Sequence, residues 1–398
     1  MNPHIFLVAG EESGDRLGAA LIAAIRRRNP GASFSAVGGA LMAAQGVPSR
    51  FPLGDLAIIG FSAIPARLPK ILTRIREAAD AVIAARPDVL VIIDSPDFTH
   101  RVARRVRAVA PAIPIIDYVC PSVWAWRPGR ARAMRDYVDR VLALLPFEPA
   151  ALRWLGGPPC TFVGHPLSER AASLRPNADE ARRRLGDPPL LLVLPGSRSG
   201  EIHRMAGVFG DAVALTAKRI GTLEVVVPAV PRLAETVKAA VASWDVPARV
   251  VTDPAEKDAA FRTARAALTK SGTATLELAV AAIPMVAAYK VTLLEEVIAR
   301  LFLKVQSVIL ANLVLGENAV PEFLQRDVKP ERLADALMPL LADTPERRRQ
   351  LEVFARLDAI MEIGTATPSD RAAAMVLDCA GTLSQSKRET VVSAPPTA

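Results

Sequence analysis

The chain is poor in the residues that build metal sites and disulfides. Its 398 residues include three cysteines and four histidines. The cysteines, Cys120, Cys160 and Cys379, form no CxxC pair, so the sequence predicts neither a zinc site nor a disulfide framework. The histidines are scattered, and no DxD triplet follows a predicted strand. We therefore expect no metal site.

Long hydrophobic runs are also missing. No stretch of 18 uncharged apolar residues occurs, so no membrane-spanning helix is predicted. The segment from Met1 lacks the basic region and the cleavage site of a signal peptide. Aromatic residues make up only 5% of the chain, although 51% of it is hydrophobic. This composition favours helices packed on buried strands. Since the cysteines form no disulfide pattern and no spanning helix is predicted, we expect a cytoplasmic protein whose membrane contact would be peripheral.

Acidic residues are fewer than basic ones. Lys and Arg number 49 against 41 Asp and Glu, which gives a net charge of +8. This balance suits an anionic partner such as a membrane surface or a phosphorylated substrate. The basic residues are spread through many predicted helices, not gathered in one tract, which argues against nucleic acid.

Short apolar runs alternate with helical patterns along most of the chain. Val89–Ile93 is apolar throughout, as expected of a parallel strand buried on both faces. The alternation predicts an α/β fold with two Rossmann-like domains facing across a cleft, the GT-B arrangement. The predicted parts are an N-terminal Rossmann-like domain (1–165), a C-terminal Rossmann-like domain (166–355), C-terminal helices (356–383) that can pack back on the first domain, and a disordered tail (384–398).

Polar loops follow the predicted strands of the first half. Glu11 and Ser13 lie after the first strand, and Asp94 and Asp97 follow the strand at Val89–Ile93. Ligands of open α/β sheets bind beyond the carboxyl ends of the strands. Either aspartate can serve as a general base for an acceptor hydroxyl, and Asp94 is the better candidate. The structural alternatives are helix caps by Ser13, Asp15 or Asp97.

A further strand end carries two of the four tryptophans of the chain. Ser122, Trp124, Trp126 and Arg127 form a loop whose indole rings and guanidinium suit a sugar, an acyl chain or a phosphate. The alternative is a loop that covers the core. His165 lies in a loop between the predicted domains.

The second half offers two loops for a diphosphate. Ser197 and Arg198 follow the strand at Leu190–Leu194, and Ser271 and Thr273 follow a later strand. Backbone amides and hydroxyl groups in such turns bind phosphate oxygens. Glu277 can accept hydrogen bonds from ribose hydroxyls, or it can belong to a capping box with the preceding Ser or Thr.

Taken together, these stretches resemble the lipid-A-disaccharide synthase family. The matching segments are AGEESGD (9–15), VGGALMAAQG (37–46), IDSPDF (93–98), PSVWAWR (121–127), LPFE (145–148), GHPL (164–167), LPGSR (194–198) and SGTATLE (271–277). They occur in the order of the family and cover most of the chain. PSVWAWR is the most specific of them.

The resemblance implies an inverting transfer without metal or cofactor. The donor would be UDP-2,3-diacylglucosamine and the acceptor 2,3-diacylglucosamine 1-phosphate (lipid X), at the cytoplasmic face of the inner membrane. By likeness, Asp94 is the base, Ser197, Arg198, Glu277 and Asn312 belong to the UDP side, and Glu11 and Ser13 belong to the acceptor side. A homodimer is left open.

Three positions depart from the family pattern. Ala311 stands where a proline is common, Lys270 where a small residue is usual, and Cys120 where a small polar residue is usual. Phe61–Arg76 alternates apolar and basic residues, which suits either a membrane interface or a helix packed on the sheet. The rival functions are a UDP-N-acetylglucosamine 2-epimerase and a non-catalytic binding scaffold.

Overall fold

The protein divides into two compact units. The computed structural model describes residues 2–56, 64–292, 296, 307–363 and 366–392. Unit 1 comprises Met1–Pro166 and Thr365–Ala398, and unit 2 comprises Leu167–Gly364. The chain therefore leaves unit 1 once and returns to it near its end.

Within the described residues, unit 1 is built on a six-stranded parallel sheet of order β2-β1-β3-β4-β5-β6. Its strands are β1 (His4–Ala9), β2 (Ser33–Val37), β3 (Val89–Ile93), β4 (Ile115–Tyr118), β5 (Arg140–Ala143) and β6 (Cys160–Phe162). Nearly all of β1 and all of β3 are buried, because helices cover both faces of the sheet.

The helices of unit 1 form two layers. They are α1 (Glu12–Arg28), α2 (Ala40–Ala44), α3 (Ile64–Ala85), α4 (Pro96–Val109), α5 (Gly129–Met134), α6 (Glu148–Trp154) and, from the end of the chain, α17 (Pro368–Val392). Phe6 and Val8 of β1 pack with α3 and α4, whereas Ile5 and Leu7 pack with α1 and α17. The returning helix therefore completes one face of the unit 1 core.

Unit 2 repeats this plan. Within the part of the chain that the structure describes, its parallel sheet has six strands in the order β12-β11-β10-β7-β8-β9. The strands are β7 (Leu190–Leu194), β8 (Glu224–Pro228), β9 (Ala248–Val251), β10 (Ala266–Lys270), β11 (Met285–Tyr289) and β12 (Glu322–Leu324). This is the strand order of a dinucleotide-binding Rossmann fold.

Helices again cover this sheet. They are α7 (Leu167–Leu174), α8 (Ala178–Leu185), α9 (Ser199–Ile220), α10 (Ala234–Val241), α11 (Pro254–Thr263), α12 (Ala274–Val280), α13 (Leu310–Leu315), α14 (Pro330–Leu341), α15 (Pro345–Ala355) and α16 (Leu357–Ile360). Phe209 of α9 and Leu333 of α14 lie in the same buried cluster as Val193 of β7. The prediction of two Rossmann-like domains is confirmed.

Each sheet has one point where the strand order reverses. In unit 1 this point lies between β1 and β3, and in unit 2 it lies between β7 and β10. The connections leaving such a pair of strands run in opposite directions, which opens a crevice at the carboxyl ends. Four of the polar loops predicted from the sequence follow these strands, whereas the tryptophan loop follows β4.

Some element boundaries differ from the predictions. Helix α1 begins at Glu12, so Ser13 lies in the first turn of this helix and not in a loop, as was predicted. Helix α17 continues to Val392, since no proline or glycine interrupts residues 382–392, whereas the tail was predicted from residue 384. Residues 356–364 belong to unit 2 and not to the returning helices.

Helix α3 includes most of the predicted amphipathic segment Phe61–Arg76. Ile75 is buried and Ile71 packs against the core of unit 1, so this part of the apolar face covers the sheet. Leu72 is exposed. Phe61 lies outside the described residues. Of the described helices, none is long and apolar enough to cross a membrane.

Candidate active site

Two loops of unit 1 meet at the point where the strand order reverses. Ser13, in the first turn of α1, donates a hydrogen bond from Oγ to Asp94 Oδ2 at 2.7 Å. Asp94 follows β3 directly, and its amide donates to the carbonyl of Tyr118 at the end of β4. The structure therefore brings together two of the predicted site residues, and both are accessible to a ligand.

The backbone at Asp94 has an unusual conformation. Asp94 and the next residue, Ser95, have φ angles of +56° and +45°, in the left-handed region. The Ser95 amide donates to Asp94 Oδ1 at 2.8 Å, which holds the carboxylate over the turn. Such strain is typical of functional sites, because the surrounding fold must hold it in place.

Gly10 allows the loop after β1 to approach this turn. A Cβ atom on Gly10 would lie 2.5 Å from the Cβ of Ser95, closer than van der Waals contact permits. A glycine is therefore required here, because any side chain would clash with Ser95. The sequence pattern alone does not show which residue Gly10 faces.

The capping alternatives for the first loop are wrong. The N-cap of α1 is Glu11, which is exposed and makes no side-chain capping bond. Asp15 is buried and accepts hydrogen bonds from the amides of Gly39, Leu41 and Met42. Its carboxylate thus binds the first turn of α2, where the amides have no partners within the helix.

Asp97 has a different partner from Asp94. It lies in the first turn of α4, is exposed, and pairs with Arg130 at 2.6 Å. The Arg130 guanidinium holds the pKa of this carboxyl below its usual value. Ser95, not Asp97, is the N-cap residue.

The tryptophan loop (Ser122–Arg127) is held in place by a hydrogen bond to a buried glutamate. Trp124 Nε1 donates to Glu148 Oε1 at 3.2 Å, and the amide of Leu145 donates to Glu148 Oε2 at 2.9 Å. Burial raises the pKa of Glu148 to about 7. Trp124 also packs edge-on against Phe147, with ring centroids 4.9 Å apart. The indole N–H of Trp124 is therefore bonded within unit 1, while its side chain remains partly exposed.

The other residues of this loop are more accessible. Ser122 and Arg127 are exposed, and the Arg127 guanidinium lies 4.3 Å from the centre of the Trp126 ring. Arg127 has a φ of +55°. Trp126 and Arg127 thus present a stacked aromatic and cationic pair at the end of β4.

His165 lies near the end of the first segment of unit 1. It follows Gly164, which has a φ of +98° and packs against Pro368 at the start of α17. Burial lowers the pKa of His165 to about 4, so this imidazole is neutral at pH 7. The C-terminal helices were predicted to be able to pack back on the first domain, and the structure shows that α17 begins beside this loop.

In unit 2 the loop after β7 wraps around one carboxylate. Ser197 and Arg198 are exposed, and both contact Glu201 in the first turn of α9. The Ser197 amide donates to Glu201 Oε2 at 3.1 Å, and Arg198 Nη1 lies 3.4 Å from Oε1. Gly196, with a φ of +141°, passes so close to Glu201 that a Cβ would lie 2.5 Å away. Sequence reasoning did not single out Glu201.

The loop after β10 is adjacent, because β10 pairs with β7. Thr273 is exposed, whereas Ser271 is buried and donates from Oγ to the carbonyl of Val308. Thr273 is the N-cap of α12 but makes no side-chain capping bond, so the capping-box alternative is wrong. Glu277 accepts a hydrogen bond from Arg170 of α7 at 3.1 Å.

Asn312 is turned into the protein. Its Nδ2 donates to the carbonyl of Val320 at 3.1 Å, and its Oδ1 accepts from the amide of Val320 at 3.0 Å. Nδ2 also lies 3.4 Å from Ser307 Oγ. In this structure Asn312 therefore joins α13 to the segment that leads into β12. Asn312 and Ser271 contact neighbouring residues, since Asn312 contacts Ser307 and Ser271 contacts Val308.

Two Rossmann-like units, each with polar side chains at its point of strand reversal, place the chain in the class of proteins with the GT-B fold. Residues 5–373 match the family model described as lipid-A-disaccharide synthetase. The chain belongs to the lipid-A-disaccharide synthase family.

Curated relatives agree with this family. The chain is 60% identical over 375 residues to the lipid-A-disaccharide synthase of Nitrobacter hamburgensis. The aligned region covers 94% of this chain and 95% of the relative. It is 58% identical to the enzyme of the same name from Rhodopseudomonas palustris, with the same coverage. A relative from Rhodospirillum centenum is 45% identical and covers 94% of both chains.

Solved structures show the same fold at much lower identity. MurG of Acinetobacter baumannii superposes with a TM-score of 0.57 at 15% identity, over 94% of this chain and 99% of that one. The UDP-GlcNAc 2-epimerase of Neisseria meningitidis, bound to UDP-GlcNAc, gives 0.59 at 11% identity, over 94% and 98%. These likenesses show the fold and do not favour the epimerase as the function.

Proposed function

We propose that the chain transfers 2,3-diacylglucosamine from UDP-2,3-diacylglucosamine to the 6-hydroxyl of lipid X. The products are the β-1,6-linked lipid A disaccharide 1-phosphate and UDP. Membership of the family over residues 5–373 is the observation that carries this proposal. The polar groups at the two points of strand reversal are consistent with it.

Asp94 is the proposed general base. In an inverting transfer, the acceptor oxygen attacks the anomeric carbon while the bond from that carbon to the β-phosphate oxygen breaks. The bonding electrons leave with UDP, and the acceptor proton passes to the carboxylate. Ser13 orients Asp94 through its hydrogen bond. Glu11, Trp126 and Arg127 are proposed to contact the acceptor.

The nucleotide side of the reaction is proposed for unit 2. Ser197 and Arg198 offer a hydroxyl and a guanidinium near the first turn of α9, where the helix dipole favours an anion. Thr273 adds a hydroxyl from the neighbouring loop. Glu277 is proposed to accept hydrogen bonds from the ribose hydroxyls, a role in which Arg170 would position it.

The enzyme is proposed to act at the cytoplasmic face of the inner membrane, where both lipid substrates would lie. Unit 1 carries an exposed aromatic side chain that supports peripheral binding, since Trp154 at the end of α6 is 84% exposed. Two arginines lie near this tryptophan. Arg153 is the preceding residue, and the Arg132 side chain lies next to Gly156, which is two residues after Trp154. Indole rings and arginines favour an anionic lipid interface.

A radiolabelled donor tests the reaction directly. The enzyme is incubated with labelled UDP-2,3-diacylglucosamine, with and without lipid X, and the products are separated by chromatography. Labelled disaccharide that depends on lipid X is the expected result. Epimerised sugar without disaccharide would show that the enzyme is an epimerase.

A variant tests the role of Asp94. Asp94→Asn keeps the size of the side chain but cannot accept a proton, so transfer is expected to fall at least a thousandfold, while the Kd for UDP stays unchanged. Asp97→Asn, at an exposed position in the first turn of α4, is the control. Near-normal turnover by Asp94→Asn would assign the base to another group.

A further inference from the structure

Lys270 lies where the two loops of unit 2 meet. It is the last residue of β10, directly before the Ser271–Thr273 turn. Its Nζ is 3.5 Å from the position that a Cβ on Gly272 would occupy, so the ammonium lies against that turn. The lysine is one of the positions that depart from the family pattern, so the resemblance assigns it no role.

The ammonium is held by two groups of unit 2. Lys270 Nζ lies 3.1 Å from Glu201 Oε1 and 4.4 Å from the centre of the Tyr289 ring. Its side chain is only 16% exposed, so it is fixed in place rather than free in solvent. A lysine with one carboxylate partner retains further N–H donors.

A second cation converges on the same atom. Arg198 Nη1 lies 3.4 Å from Glu201 Oε1, the oxygen that Lys270 also contacts. Glu201 is 4% exposed, whereas the Arg198 side chain is 79% exposed. The two loops therefore bring one fixed and one accessible cation to a single carboxylate, which leaves a net positive charge at the point of strand reversal.

The electrostatics of Glu201 agree with this arrangement. Burial acts to raise the pKa of the Glu201 carboxyl, but Lys270, the Ser197 amide and Arg198 outweigh burial and lower the pKa. Glu201 is thus an anion that uses both oxygens to hold Lys270 and the Ser197 loop together.

We propose that Lys270 is a catalytic residue of the UDP site, which contacts the diphosphate of the donor and stabilises it as it departs. This inference rests on the proposed function, because it assumes a UDP-sugar in unit 2. As the bond between the anomeric carbon and the β-phosphate oxygen breaks, its electrons move onto that oxygen. Lys270 donates hydrogen bonds to the diphosphate and transfers no proton. Arg198 adds the second, movable cation.

The first test compares ligands that differ only in phosphate. UDP, UMP and uridine are titrated calorimetrically into the wild type and into Lys270→Met, which keeps the length of the side chain without its charge. The UDP Kd is expected to rise between about tenfold and a hundredfold, as for a lost hydrogen bond to a charged group. The uridine Kd is expected to stay unchanged. Lys257→Met is the matched control, because Lys257 also contacts an aromatic ring of unit 2, that of Phe261.

The second test separates a phosphate contact from mere neutralisation of Glu201. The double variant Lys270→Met/Glu201→Gln removes both charges of the pair but keeps an acceptor for the Ser197 amide. If Lys270 contacts the diphosphate, the double variant stays weak in UDP binding, and kcat stays lower than in the wild type. Recovery of wild-type UDP affinity in the double variant would overturn the assignment.

Two other results would also overturn it. If Lys270→Met weakens the binding of UDP and of uridine equally, Lys270 only supports the structure of the loop. If the UDP Kd of Lys270→Met stays within twofold of the wild-type value, Lys270 does not contact the diphosphate. If the wild type binds no UDP at all, the proposed nucleotide site fails together with the role of Lys270, and that outcome is distinct from a failure of Lys270 alone.

Discussion

Ser13 Oγ lies 2.7 Å from Asp94 Oδ2, and this hydrogen bond links the residues that follow β1 and β3. The bond crosses the point of strand reversal in unit 1. It orients a carboxylate whose backbone is already constrained by a left-handed turn. The pair is thus a site element that neither strand end could form alone.

Ser13→Ala is expected to reduce turnover without loss of fold. The variant removes a hydrogen bond to a carboxylate, and kcat should fall between about tenfold and a hundredfold. The UDP Kd and the thermal midpoint should stay near the wild-type values, because Ser13 lies at an accessible position of unit 1. Steady-state kinetics and calorimetry measure these quantities. Ser243→Ala is the control, and a kcat within twofold of the wild type would contradict the prediction.

Asp15→Ala is expected to act on stability. The buried carboxylate satisfies three amides at the start of α2, and their loss should lower the free energy of unfolding by about 3 kcal/mol. Thermal or urea denaturation checks this. Asp136→Ala, at an exposed position, should change stability little. If Asp15→Ala unfolds like the wild type, the three hydrogen bonds do not hold the α2 segment.

Glu148 is expected to make stability depend on pH. Burial raises its pKa to about 7 in the folded protein, above the ordinary value of 4.5. Its protonated form therefore favours the fold, and this contribution is fully present below pH 4.5 and is lost as the pH rises through about 7. Glu148→Gln should lose less stability than the wild type between pH 5 and pH 8.

Thermal unfolding at both pH values measures the effect of Glu148. Glu235→Gln, at an exposed position of α10, is the control and should follow the wild type. The same decrease with pH in Glu148→Gln and in the wild type would assign the pH dependence to other groups.

Trp154→Ser is expected to weaken membrane binding. The indole ring is 84% exposed and would insert at the lipid interface. Sedimentation with vesicles containing anionic phospholipid should show at least a several-fold loss of bound protein, with turnover of detergent-dispersed substrate retained. Val109→Ser, another exposed apolar position of unit 1, is the control. Unchanged vesicle binding together with a loss of dimer in light scattering would assign Trp154 to an interface between two copies.

The sequence by itself determined the class of fold and the places where chemistry can occur. Continuous apolar runs such as Val89–Ile93, bounded by turn residues, are typical of parallel strands covered on both faces, because an exposed face would show alternation. Strand ends followed by polar turns then mark the ligand edge of each sheet. These are local patterns, and they also identified the family.

Only the tertiary structure decided which of these residues meet. Ser13 and Asp94 are 81 positions apart, and their contact depends on β1 and β3 being neighbours in the sheet. In the same way, Lys270 reaches Glu201 only because β10 pairs with β7. The capping alternatives for Ser13 and Asp15 failed because stronger partners lay far away in the chain. Local spacing indicates helices and strands, whereas strand order determines side-chain partners. That order depends on contacts between segments far apart in the chain, so local patterns do not reveal it.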